Sequence, residues 1–180
     1  MTGPPLYFDT NTEKILVIFR KRVAHLTERA LAVFVGRACR AAGLRGDVHI
    51  LVTTNREMRS LNARFRKKDK PTDVLSFPAG PEVKDSAGDL AISAAIAAEN
   101  ARLLGHSPAE EIKILVLHGA LHLAGYDHER DNGEMAKREL RLRKQLNLPV
   151  GLIERTTASG SSRRKSISAV VSKAKRRPAR

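Results

Sequence analysis

The densest chemistry in the chain lies in the segment His118-Gly119-Ala120-Leu121-His122-Leu123-Ala124-Gly125-Tyr126-Asp127-His128. Histidines four apart on a helix leave it from one face, so the imidazoles of His118 and His122 can reach the same ion. Gly125 turns the chain out of the helix, which can bring His128 back as a third ligand. Three neutral imidazoles with one open position make a catalytic Zn²⁺-type site, whereas a structural site fills the fourth corner with protein. The one cysteine, Cys39, cannot supply a Cys-rich structural site. His25, His49 and His106 lack such spacing and read as surface or satisfied polar residues.

The spacing equals that of the metzincin protease pattern H-E-x-x-H-x-x-G-x-x-H, with Gly119 in place of the glutamate. That glutamate is the general base that takes a proton from water at the metal, and Gly119 cannot replace it. Either the metal alone generates hydroxide, or another group assists, or the substrate supplies the acceptor. A phosphodiester carries its own anionic oxygens, so Gly119 counts against a peptidase more than against a nuclease. Asp127 and Asp89 are candidates to fix the imidazole orientations, although Asp127 reads equally well as a turn residue.

A second constellation is basic. Seven Lys/Arg stand between Arg56 and Lys70, against Glu57 and Asp69. Of these, Arg64, Arg66, Lys67, Lys68 and Lys70 fall at a helix end and into a loop, where they can converge on a phosphate. The planar fork of arginine binds phosphate oxygens bidentately; a solvated charge run is the competing reading. The net charge of +14 is unevenly placed: residues 155–180 hold nine basic and no acidic residues, leaving 24 against 19 in the rest. A polyanionic partner fits this balance, and a merely solubilising tail is the alternative.

The elements that must position these groups follow from periodicity and punctuation. Ile15–Phe19 reads as a strand, Leu26–Leu44 as a helix, Val48–Val52 as a buried strand, and Asn55–Phe65 as a helix with a Thr54/Glu57 capping box. Asp73–Phe77 and Asp89–Ile92 read as strands, the latter preceded by Gly88, and Ser93–Leu104 as an Ala-rich helix closed by Gly105. Ser107, Pro108 and Glu110 open the histidine helix and Gly125 closes it. Its apolar run from Ile112 to Leu123 predicts burial nearly all round. A last amphipathic helix spans about Gly133–Leu146. The expected fold is α+β: a small mixed β-sheet covered by helices, with a buried helix carrying the metal-binding His-x3-His motif.

Residues 1–13 read as a loose lead-in, 14–155 as the metal-dependent domain and 156–180 as a disordered basic tail, too poor in apolar surface to offset ordering entropy. No segment approaches the roughly 20 apolar residues of a membrane span. Ile15–Phe19 is too short for a signal-peptide core and its charges follow it. A soluble cytoplasmic protein is expected.

The run Leu61-Asn62-Ala63-Arg64-Phe65-Arg66-Lys67-Lys68-Asp69-Lys70-Pro71-Thr72-Asp73-Val74-Leu75-Ser76-Phe77-Pro78, with Gly88-Asp89-Leu90 and the His118–His128 segment, resembles the YbeY family of bacterial endoribonucleases. The resemblance covers about residues 14–150. It implies single-strand-specific cleavage of RNA in 16S rRNA 3′-end maturation and late ribosome quality control. Its partners would be 16S rRNA and the ribosome or its small subunit, with ribosomal proteins alongside. His118, His122 and His128 would hold one Zn²⁺, and Arg66 would be the required catalytic arginine. The family often has Tyr and Gly where this chain has Phe65 and Lys67. The rival classes are a non-catalytic, metal-stabilised ribosome-assembly or RNA-binding factor, and a metalloprotease, which Gly119 and the basic surface disfavour.

Overall fold

A computed structural model describes residues 7–10, 13–128 and 130–150. The domain boundary expected at 155 and the basic segment 156–180 lie outside the described residues. Ten elements are described: β1 (Tyr7–Thr10), β2 (Glu13–Phe19), α1 (Glu28–Ala42), β3 (Asp47–Thr53), α2 (Asn55–Arg66), β4 (Val74–Pro78), β5 (Ser86–Ser93), α3 (Ala94–Leu104), α4 (Pro108–Leu123) and α5 (Glu134–Gln145). The fold is α+β as expected. Strand β1 falls inside the stretch read as a lead-in. It pairs antiparallel with the next strand in the chain, β2, Thr10 opposite Glu13 and Tyr7 opposite Leu16, a pairing that composition alone does not reveal.

The sheet order is β1-β2-β3-β5-β4. Strands β2, β3 and β5 are parallel, and β4 returns antiparallel on β5 as the edge strand. Side chains alternate across a strand, so adjacent residues serve opposite faces. On β5, Leu90 and Ile92 enter the main core with α1 and α4, while Ala91 joins a smaller cluster with Met58 of α2 and Leu75 of β4. Helices α1 and α4 therefore cover one face of the sheet, and α2 packs on the other.

Helix α4 is the centre of the main core. Its start satisfies orphan N–H groups twice over: Ser107 Oγ accepts from Glu110 N at 3.2 Å, and Glu110 Oε2 accepts from Ser107 N at 2.8 Å. Ile112, Val116, Leu117, Ala120 and Leu121 are fully buried, and each large aliphatic among them contributes about 1.5–3 kcal/mol through removal from water. The helix ends in a Schellman arrangement, in which Tyr126 N donates to Leu121 O at 3.0 Å and Gly125 adopts φ +91°. That left-handed residue reverses the chain toward His128.

Candidate metal centre and its basic rim

The last two turns of α4 present His118 and His122, and the turn after Gly125 presents His128. One ring nitrogen from each lies within 4.8 Å of the others. The Nε2 atoms of His118 and His122 are 3.1 Å apart. Two nitrogens bound to one tetrahedral Zn²⁺ at 2.0–2.1 Å stand about 3.3 Å apart. The pair on α4 is thus at ligating separation, and the exposed His128 brings a third nitrogen within 4.8 Å of both. The three residues fit a divalent ion of the zinc type.

Electrostatics favour the neutral, ligating form. His122 is pushed below the ordinary imidazole value by partial burial and by the neighbouring His118 and His128. A hydrogen bond to the Tyr126 backbone and the charge of Asp127 oppose that shift without cancelling it. His118 is oriented through its other nitrogen, Nδ1, which lies 2.9 Å from Glu139 Oε2 on α5. With Nδ1 protonated to meet the carboxylate, Nε2 is left as the free ligand atom. Burial pushes the Glu139 carboxyl up, but the His118 hydrogen bond and the Arg143 charge outweigh it and hold the group below the usual carboxylate range. Arg143 Nε donates to Glu139 Oε1 at 2.9 Å, which fixes the carboxylate between cation and imidazole.

Sequence reasoning misses Glu139 and puts Asp127 and Asp89 in this role. Asp127 acts on His122 through its charge and pairs with Arg130 at 3.4 Å. Asp89 is a correction: it sits 2.8 Å from His49 Nδ1, because β5 alternation points residue 89 away from α4. His106, likewise outside the triad, pairs at 2.7 Å with Glu111, and both side chains are buried. The only local signal for Glu139 is its spacing of four from Arg143.

Gly119 has a packing reason. A Cβ there would lie 2.7 Å from Leu90 Cδ2 and 3.3 Å from Ser76 Oγ, so α4 rests directly on the sheet between the two ligand histidines. A glutamate base at this position would be driven into the core.

Arg66, the last residue of α2, is exposed, and its guanidinium has no hydrogen-bond or ion-pair partner among the described residues. Its loop is held firmly. The buried Asn62 donates Nδ2 to Lys70 O at 2.7 Å, and Arg59 grips Asp69 through two bonds of 2.7 and 2.6 Å. Asp69, one of the two acids of the basic run, is thereby neutralised, while Arg64, Arg66, Lys67, Lys68 and Lys70 face solvent. The sheet separates α2 from α4, and edge strand β4 links them. Ser76 Oγ donates to Gly119 O at 3.4 Å, and its neighbour Phe77 stacks edge-on against Phe65 at 5.0 Å. A chain of contacts thus runs from between the two ligand histidines, across β4, to the residue before Arg66.

The fold and cluster define a small α+β protein with a three-histidine, metal-type centre on α4 and an exposed run of cations at the end of α2. The family model described as endoribonuclease YbeY matches residues 8–147, and the chain belongs to that family. It is 58% identical over 142 residues to endoribonuclease YbeY of Koribacter versatilis, covering 79% of this chain and 92% of the relative. It is 48% identical to endoribonuclease YbeY of Solibacter usitatus, covering 77% and 92%. A solution structure of a Thermotoga maritima protein superposes with a TM-score of 0.53 at 29% identity, covering 73% of this chain and 88% of that one. Among the described residues no helix is long and apolar enough to cross a membrane.

Proposed function

We propose that the chain is a metal-dependent endoribonuclease whose ion, Zn²⁺, is held by His118, His122 and His128. The observation that carries this reading is the convergence of the three ring nitrogens in a member of an endoribonuclease family. A zinc ion at such a site activates water near neutral pH or polarises a phosphoryl oxygen. The protein's own groups do the rest. Glu139 and Arg143 hold His118 in one tautomer, the shift on His122 keeps it neutral, and Gly119 seats the helix on the sheet. Arg66 supplies a cation for charge developing on the phosphoryl oxygens, as oriented donors do at other acyl and phosphoryl centres.

The substrate proposed is single-stranded RNA, specifically the 3′ end of 16S rRNA on the small subunit, in maturation and late quality control. Such a substrate puts the site of action in the cytoplasm. The second reading, a non-catalytic assembly factor, draws on Glu139, through which an ion at His118 would also tie α5 to the body. Purified zinc-loaded protein should cut a 16S 3′-end precursor RNA, and a single strand faster than the same sequence in a duplex. Tight binding of that RNA with no cleavage, under conditions where zinc is stoichiometric, would favour the assembly factor.

A further inference from the structure

Phe65 is about half exposed, at 53%, although it belongs to no core. Its ring is held at the rim by Phe77, with centroids 5.0 Å apart and planes at 68°. An edge-on contact supports the ring while leaving π surface open to solvent. The Arg64 guanidinium stands 5.1 Å from the Phe65 centroid. Arg66, Lys67 and Lys68 follow the ring along the chain as exposed cations with no acidic partner among the described residues. The loop cannot easily collapse onto the ring, because Asn62 and the Arg59–Asp69 pair pin it. An exposed aromatic face flanked by free cations matches one ligand chemistry: a planar base attached to a phosphate.

We propose that Phe65, braced by Phe77, is a stacking platform for one unpaired nucleobase of RNA, with Arg64, Arg66, Lys67 and Lys68 holding the phosphates on either side. This rests on the RNA reading above and deepens it by naming residues that sense single-strandedness. A base in a duplex has both faces covered by its neighbours and cannot be offered to Phe65, whereas a splayed single strand can offer one. The Arg64 guanidinium already lies over the Phe65 ring, so a base stacks on the ring once Arg64 swings off it toward a flanking phosphate, a move its long, exposed side chain permits. Phe77 and Ser76 are neighbours on edge strand β4 and face opposite sides of the sheet, Ser76 Oγ reaching Gly119 O between the two ligand histidines, so the platform and the histidine helix are braced by the same strand.

The test uses the full chain, metal-stripped so that nothing is cut, with Phe65→Leu and Phe65→Tyr. The probe is a single-stranded RNA oligonucleotide carrying one 2-aminopurine, alone and annealed to its complement. Wild type should quench the single-stranded probe, as a stacked base requires. Phe65→Leu should lose about 5- to 150-fold in single-strand affinity and abolish the quench. It should leave duplex affinity within about twofold, as phosphate binding by the unchanged cations requires, and keep its melting temperature. Phe65→Tyr should restore both binding and quench. Equal losses for single strand and duplex, or an unchanged quench in Phe65→Leu, would overturn the platform while leaving the nuclease reading intact. A wild type that neither binds RNA nor, with zinc, cuts it would overturn both.

Discussion

Replacing Glu139 with Gln tests whether the metal centre is built by α5 as well as α4. The Glu139 carboxylate meets His118 Nδ1 at 2.9 Å with only 12% of its side chain exposed, and Arg143 holds it from the other side. Gln keeps the volume and an acceptor oxygen but removes the charge that makes Nε2 a better donor to a cation. Losing such a partner typically weakens metal binding about 10- to 100-fold, or roughly 1.4–2.8 kcal/mol. We expect Glu139→Gln near the tenfold end, because the hydrogen bond survives. Glu139→Ala should fall near the hundredfold end, because it also strands Arg143. A competition titration of zinc against a chromophoric chelator reads the affinity directly, and melting of the metal-free proteins separates it from loss of fold. Glu139 is held below its usual carboxylate range, so its contribution to stability is present above the unfolded value and is lost as pH falls through the folded one. The Gln variant should lack that part of the acid sensitivity. Wild-type zinc affinity in Glu139→Gln would refute the role given to this residue.

Three further outcomes follow from other parts of the molecule. Arg66→Ala should lower kcat and kcat/KM together with zinc content unchanged, by about 2.7–4 kcal/mol if it acts on the transition state. Arg66→Lys should recover little, and a normal single-turnover rate in Arg66→Ala would remove it from the chemistry. His122 is depressed in the folded state, so between its folded value and the ordinary 6.5 the unfolded chain binds the extra proton. Stability of the metal-free protein should therefore rise with pH through that window, and His122→Gln should flatten the rise in melts from about pH 5 to 7. Deleting residues 156–180 should preserve metal binding but reduce the salt dependence of RNA binding, by about 0.7 in log–log slope for each phosphate that the tail neutralises. An unchanged slope would make that segment a bystander.

The histidine helix is legible in the sequence because its signals are local. Ser107, Pro108, Glu110 and Gly125 fix its ends within the reach of one turn, and the four-residue spacing of His118 and His122 needs only helix geometry. The other helices and the core strands lie within a few residues of their expected bounds for the same reason. What depends on how one element pairs with another is not legible. Strand β1 needs β2 as a partner, since polar residues and prolines near it give no strand pattern. Asp89 reads as available to the metal until the register of β5 sends it to His49, on the face away from α4. Glu139 lies 21 residues from His118 and meets it only through the packing of α5 on α4. Phe65 stands out in the sequence only as a departure from a family tyrosine; its exposure and its brace on Phe77 exist only once β4 lies against α2.

Cleavage of one defined single-stranded RNA, measured while zinc is titrated into metal-free protein, tests most directly whether the three histidines make this chain a nuclease. The single-turnover rate should rise in proportion to bound zinc and level off at about one ion per chain, as a single three-histidine site requires, with neither binding nor cleavage in His118→Ala or His122→Ala. Full cleavage by the stripped protein, or wild-type cleavage by either variant, would contradict it.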